Sequence, residues 1–411
     1  MGNKLINAAD ILLPPYSPED ERWTAYSVIA CDQYTSEPEY WEKARELAKG
    51  KLSCLDLILP EAYLGTAAED EQKAAVAENM KAVCEKLTVH ENCLVYIERT
   101  LPSGAVRRGL VGKIDLEGYD FSPESCSPVR ATEQTVIERI PPRVAVRKEA
   151  TVELPHVMVF ADDREGDLIK PLADRKGEMT LLYSFELMLG GGSIVGYKIE
   201  GELLAEVLSR VEAYENSAKD GLVYAMGDGN HSLATAKAHF EELKSELSEE
   251  AAMSHPARYA LVEVVDLNDT SIVFEPIYRI VEGVCPEKLV TYINERLGNA
   301  EKWQTVTAVT ADKKWEMNIP ALHALTVGSL QILIDDFLKE EQGAECDYIH
   351  GTDSLEKLVN EKKCIGFLFD GVEKEELFGY VANNGTLPRK TFSMGTAAEK
   401  RYYIEARAII L

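Results

Sequence analysis

Apolar residues recur every three to four positions in some stretches of this chain and run unbroken in others, and the two patterns alternate from end to end. The helical spacing predicts an amphipathic helix over Pro38–Ala48 and a second over Ala67–Leu87. Cys93–Glu98 and Val106–Ile114 read as strands joined by the turn Leu101-Pro102-Ser103-Gly104, and Pro141-Pro142 is expected to break whatever precedes it. His156–Ala161 is continuously apolar and stops at Asp162-Asp163, the pattern of a central strand buried on both faces. Leu181–Leu189, helical or extended, ends at Gly190-Gly191-Gly192-Ser193. Leu203–Tyr214 predicts a helix and Leu222–Met226 a buried strand. After a glycine turn, Leu233, Ala236, Phe240, Leu243 and Leu247 form one apolar helical face. Tyr259–Val265 reads as a strand holding a single charge, Glu263. Helices over Pro286–Leu297 and Val327–Glu340, a strand over Cys364–Phe369 and a terminal helix or strand over Ala397–Ile410 complete the pattern.

Strands and helices interleaved in this way define an α/β fold of the mixed α+β kind. At 411 residues the chain has room for about two to three domains, and the expected division is 1–268 and 269–411. The balance of 45% hydrophobic and 28% charged residues supports an ordinary buried core. The formal net charge of -26 repels phosphate backbones and anionic lipid, so neither nucleic acid nor membrane is an expected partner. The segment Thr386–Leu411 opposes the trend: Arg389, Lys390, Lys400, Arg401 and Arg407 face only Glu399 and Glu405. Such a segment meets either a phosphate or the protein's own acidic groups. The amino terminus has no long apolar run, and no stretch reaches the roughly 18 apolar residues of a membrane span. The 8 cysteines are dispersed, with no Cys-x-x-Cys pair, which fits free thiols in a reducing cytoplasm.

Chemistry concentrates at Gly227-Asp228-Gly229-Asn230-His231. A buried strand leaves the sheet, two glycines permit a tight turn, and a helix begins at or just after Asn230, with Asp228 or Asn230 as its cap. First-turn amides and the positive end of the helix dipole then favour an anion. Gly227, Gly229, Asn230 and Ser232 are the expected phosphate or nucleotide cradle. His231 can move a proton or bind phosphate, and Asp228 can serve as base or hold magnesium. Other signatures are incomplete: Gly227-x-Gly229-x-x-Ser232 lacks the third glycine of a dinucleotide fingerprint, Arg107 stands where a P-loop ending in Gly112-Lys113 would begin, and Val195 replaces the closing glycine of a nucleophile elbow around Ser193.

Outside the turn, Asp32 follows Val28–Cys31 and is either a catalytic acid or base or a structural cap. Glu263, a lone carboxylate in a buried strand, is a further catalytic candidate and needs a partner, catalytic or structural; Arg258 and Arg279 are nearby in sequence. Arg130 and Glu133 have the spacing of an ion pair, Arg143 reads as a surface charge, and Asp162-Asp163 either end a strand or hold magnesium. His156, His239, His255 and His350 read as capped or surface histidines.

Five segments together resemble a widespread bacterial and archaeal family of unknown function: Cys31-Asp32-Gln33-Tyr34-Thr35-Ser36, Glu186-Leu-Met-Leu-Gly-Gly-Gly192, Gly227–His231, His255-Pro-Ala-Arg-Tyr259 and Leu387–Gly395. The resemblance spans nearly the whole chain. The family's central motif is Asp-Gly-His-His-Arg followed by a helix, and it resembles the turns of the ParB/sulfiredoxin-like superfamily, which includes a free-serine kinase. Family genes often lie beside those of serine biosynthesis. The resemblance implies nucleotide or phosphate handling at this turn. The leading expectation is therefore ATP or ADP as ligand with magnesium, and phosphoryl transfer to or from a small hydroxylated acid such as serine, by a kinase-like or phosphatase activity. A sensor without turnover and a partner-binding scaffold are the alternatives. Asp228, Gly229 and His231 match the motif; Asn230 replaces its first histidine and Ser232 its arginine. That arginine is a bidentate phosphate clamp, and Arg389 and Lys390 are the expected cationic substitutes.

Overall fold

A computed structural model describes residues 4–66, 69–218, 220–341, 343–362 and 364–410. Met1–Asn3 of the amino-terminal reading, and Ala67 and Ala68 of the expected second helix, lie outside them; that helix is described over Glu69–Cys84. The chain divides into two compact units. The first comprises Met1–Ile272, Val381–Gly385 and Thr396–Leu411, and the second Val273–Tyr380 and Thr386–Gly395.

The first unit is built on a mixed sheet of 11 strands. Its main path runs Thr180–Glu186, Ser193–Ile199, Thr88–Thr100, Val106–Asp115, Tyr259–Asp266, Met158–Ala161, Tyr224–Asp228, Val129–Arg130 and Tyr119–Asp120. Met158–Ala161 runs parallel to Tyr259–Asp266 and antiparallel to Tyr224–Asp228. Because successive side chains point to opposite faces, one strand feeds two cores. Leu261 joins Val95, Ile97 and Val111 on one side. Ala260, Val262 and Val264 join Leu94, Tyr96 and Leu110 on the other. The latter face is covered by Gly201–Ser217 and Asn230–Glu246, whose Leu233, Ala236 and Phe240 are buried against it.

Local signals explain several boundaries. Pro38–Ala48 begins with proline in its first turn and buries Trp41, Ala44 and Ala48 on one face. Pro141 and Pro142 start a helix, contrary to the expected break: they occupy the first turn of Ile140–Lys148, where a missing N–H costs nothing. The expected element over Ala397–Ile410 is instead a short 3-10 turn, Ala397–Glu399, and two short strands. Tyr402–Tyr403 pairs with Val28–Ile29, and Arg407–Ala408 with Val152–Glu153. Its register is set by distant partners.

The second unit is an antiparallel sheet in the order Lys314–Pro320, Trp303–Val309, Ile365–Leu368, Phe274–Glu282 and Glu345–His350, with Phe392–Met394 beside the start of Phe274–Glu282. Pro286–Leu297 and Thr326–Glu340 bury Leu289, Ile293, Leu330 and Phe337 in its core. Among the described residues, no helix is long and apolar enough to cross a membrane.

Candidate functional site

The turn forms where Tyr224–Asp228 leaves the sheet. Its register against Met158–Ala161 shifts between Met226 and Asp228, a bulge that re-aims the following side chains. Gly229, at φ +81°, is the residue from which helix Asn230–Glu246 starts. Neither expected side chain caps that helix. Asp228 instead accepts the Gly229 amide on Oδ1 at 2.9 Å, and Asn230 is already helical, with a buried Oδ1 that has no hydrogen-bond partner. A Cβ at Gly229 would lie 3.0 Å from Val157 Cα. Gly229→Ala is therefore expected to cost about 1–3 kcal/mol in urea unfolding, from left-handed strain and this contact; a cost indistinguishable from zero would show that the turn relaxes freely. The first-turn amides have no acceptor within the helix. Nε2 of His231 accepts the Val136 amide at 3.3 Å, so the ring carries its proton on Nδ1 and offers that N–H as a hydrogen-bond donor.

Around the turn lies a charged centre that sequence spacing did not disclose. Lys400 Nζ sits 3.4 Å from Asp228 Oδ2. The same lysine acts on Asp32, whose Oδ2 is 3.9 Å from His156 Nε2. Burial pushes the Asp32 carboxyl up, but His156, a hydrogen bond from Gln33 and Lys400 outweigh it and hold the group below its ordinary value. His156, expected at the surface or as a cap, is buried, and its Nδ1 lies 2.9 Å from the Tyr403 hydroxyl. Asp32 and Asp228 are thus brought to one lysine.

Glu263 is also in this centre, though neither arginine expected from sequence proximity is its partner. Arg258 pairs with Asp115, and Arg279 belongs to the second unit. Arg401 Nε donates to Glu263 at 2.6 Å while its Nη2 reaches Glu405 at 2.8 Å. Gly109 makes room: a Cβ there would fall 2.2 Å from Glu263 Oε1. Arg107 lies within electrostatic reach of both Glu263 and Asp228.

A cavity of about 640 Å³ adjoins the helix start. Leu57, Met80, Val146 and Leu154 give it an apolar wall, His156 and Tyr403 contribute polar groups, and Ser232 opens into it from the first helical turn. Arg143, read as a surface charge, also lines it and is paired with Glu61.

Other readings change with the geometry. Arg130 is buried on a strand and donates to the Ser127 carbonyl. Asp163 accepts the amides of Asp167 and Leu168, and Asp162 pairs with Arg164. His255 does cap a turn, accepting the Ala257 amide. Arg389 and Lys390 are exposed residues of the second unit, their carbonyls held by Arg279. Among the described residues no group of three or more His, Cys, Asp or Glu is arranged to hold a metal ion.

A mixed α/β architecture, with a glycine turn opening a helix beside a charged centre, is the class that these features define. Residues 15–406 match the family described as "Protein of unknown function (DUF1015)", and the chain belongs to it. No curated protein matches the chain. Among solved structures, a free serine kinase in complex with AMP is similar at 11% identity and TM-score 0.38, covering 73% of this chain and 91% of that one. A conserved hypothetical protein from Pyrococcus furiosus is similar at 10% identity and TM-score 0.36, covering 72% and 94%. SbnI with a C-terminal truncation, from Staphylococcus aureus, is similar at 11% and 0.35, covering 72% and 82%.

Proposed function

We propose that the chain binds a nucleotide such as ATP or ADP, or a phosphorylated small metabolite, at the turn Gly227–His231. Its phosphate rests on the first-turn amides of Asn230, His231 and Ser232, and its less polar body occupies the adjoining cavity. The observation that carries this reading is the position of Ser232, which belongs to the helix start and to the wall of a cavity of about 640 Å³. Small-molecule sites have this size and this pairing of an apolar wall with a few convergent polar groups, and a helix start favours phosphate. Lys400, paired with Asp228, supplies a cation beside the turn.

The reaction such a site suits is phosphoryl transfer to a small hydroxylated acid such as serine. The acceptor oxygen bonds to phosphorus, the bond to the bridging oxygen breaks, and the hydroxyl proton passes to a carboxylate. Asp32, held in its ionised form, and Asp228 are the candidate bases. Magnesium characteristically takes one or two carboxylates and completes its shell with phosphate and water. Asp228 would hold it in place of its present partner Lys400, and the ion would supply charge neutralisation at the phosphates.

A thermal-shift panel tests the reading with ATP, ADP, phosphoserine and serine, with and without magnesium. At a hundred times its dissociation constant, a bound nucleotide adds about 2.7 kcal/mol of stability. Ser232→Ile, which fills the cavity mouth, is expected to abolish the ADP shift. Failure of every nucleotide and phosphoester to stabilise the wild type overturns the reading, while stabilisation without phosphorylated serine as product makes the chain a sensor.

A further inference from the structure

Arg99 and Arg107 stand directly opposite each other on the paired strands Thr88–Thr100 and Val106–Asp115. Like charges in that position repel, and these two are buried, with 2% and 3% of their surface exposed. Neither forms an ion pair with a carboxylate among the described residues. The two Nη groups of Arg99 are satisfied by main chain, Nη1 donating to the carbonyls of Glu399 and Lys400 and Nη2 to those of Gly191 and Ala398, while its Nε is buried with no partner. Arg107 has one such bond, from Nη1 to the Glu399 carbonyl at 3.1 Å, and its Nε and Nη2 are buried with no partner.

Those two nitrogens form one edge of the guanidinium, the fork whose parallel N–H groups match two oxygens of a carboxylate or phosphoryl group. The nearby acids are already engaged. Glu263 is bound by Arg401, and Asp228 by Lys400 and the Gly229 amide. Burial, then the neighbouring Arg107, pushes the Arg99 guanidinium down to about 9, and Arg107 has Glu263 and Asp228 within electrostatic reach but no carboxylate on its Nε/Nη2 edge. A trapped water could bridge the N–H groups but would leave that charge in place.

We propose that the Nε/Nη2 edge of Arg107 is the binding fork for a small oxyanion, the carboxylate or phosphoryl group of a metabolite, beside Asp228 and Glu263. The fork requires no ligand in the Ser232 cavity, so it stands independently of the nucleotide reading.

The test titrates the full chain with sodium phosphate and, separately, sodium acetate against sodium chloride at matched ionic strength, reading Tm. Wild type is expected to show a saturable rise with at least one of the two, despite a net charge of -26 that opposes loose anion uptake. In Arg107→Lys, which keeps the charge and loses the fork, the midpoint of that rise should move by about tenfold or more. Phosphate alone acting identifies a phosphoryl group, acetate alone a carboxylate, and both a fork indifferent to the source. A rise that never saturates, or one equal in Arg107→Lys, overturns the proposal as a general salt effect. Should Arg107→Lys fail to fold, the Arg107 Nε–H signal of ¹⁵N-labelled wild type decides the matter: it shifts on titration if the fork binds, and stays fixed if it does not. Ser232→Ile should keep the oxyanion response while losing that to ADP, which separates failure here from failure of the nucleotide site.

Discussion

Arg401→Met is expected to lower the unfolding free energy by about 3–5 kcal/mol, the midpoint in urea moving down with little change in slope. Arg401 is buried between two buried carboxylates, Glu263 and Glu405, and Glu405 also accepts the Tyr183 hydroxyl. Burial alone would weaken the guanidinium's hold on its proton, but Glu405 and Glu263 more than reverse that and raise its pKa. Methionine keeps the apolar stem and leaves both acids without a cation. The double variant Arg401→Met, Glu405→Gln removes one stranded charge and should recover part of the loss. If the single variant loses less than about 1 kcal/mol, comparable to an exposed pair, the buried network is not what anchors the carboxy-terminal segment.

That segment shows what the sequence could disclose and what it could not. Helices such as Pro38–Ala48 and Pro286–Leu297 were legible to their ends, because a proline start and a repeating apolar face are local signals. The strand before the turn was legible from its unbroken apolar run and the tight exit from its two glycines, but not that Gly229 alone takes the positive φ. The basic character of Thr386–Leu411 was equally plain, but its use was not. Arg401 meets Glu263 across 138 positions, Tyr403 meets His156 across 247 and Arg407 meets Glu153 across 254. No spacing rule reaches so far, so the two possible partners of the segment stayed open. In the first unit its cations meet the protein's own carboxylates. Lys400 pairs with Asp228 through the same fold-back, which is why the cation beside the turn was sought at Arg389 and Lys390. The pairing of Arg99 with Arg107 was hidden for a related reason: charges near a strand end read as solvated until a second layer is known to cover them.

The same fold-back makes the first unit sensitive to acid at Glu153. Its carboxylate is buried, accepting from Arg407 Nε at 2.8 Å, Arg147 Nη2 at 2.5 Å and the Leu261 amide at 2.7 Å. Burial raises its pKa, but Arg407 and then Arg147 outweigh that and hold the group below its ordinary value of 4.5. A carboxyl depressed in the folded state contributes stability that is fully present above the unfolded value, about 4.3. That contribution is lost as pH falls through the lower folded value. Glu153→Gln should therefore cost about 3–5 kcal/mol at pH 7, where the buried Arg407 and the partly buried Arg147 lose their shared anion. The gap from wild type should narrow steadily below about pH 4.3, as the wild-type carboxyl takes up its own proton. Asp32 has the same sign, so only the difference between the two urea stability curves isolates Glu153. A gap that stays constant from pH 7 to acid would mean that the variant fails by misfitting its amide and not by losing charge. Since Glu153 also lines the cavity, a narrowing gap would further tie the shape of the proposed nucleotide pocket to the ion pair that closes the chain's end against it.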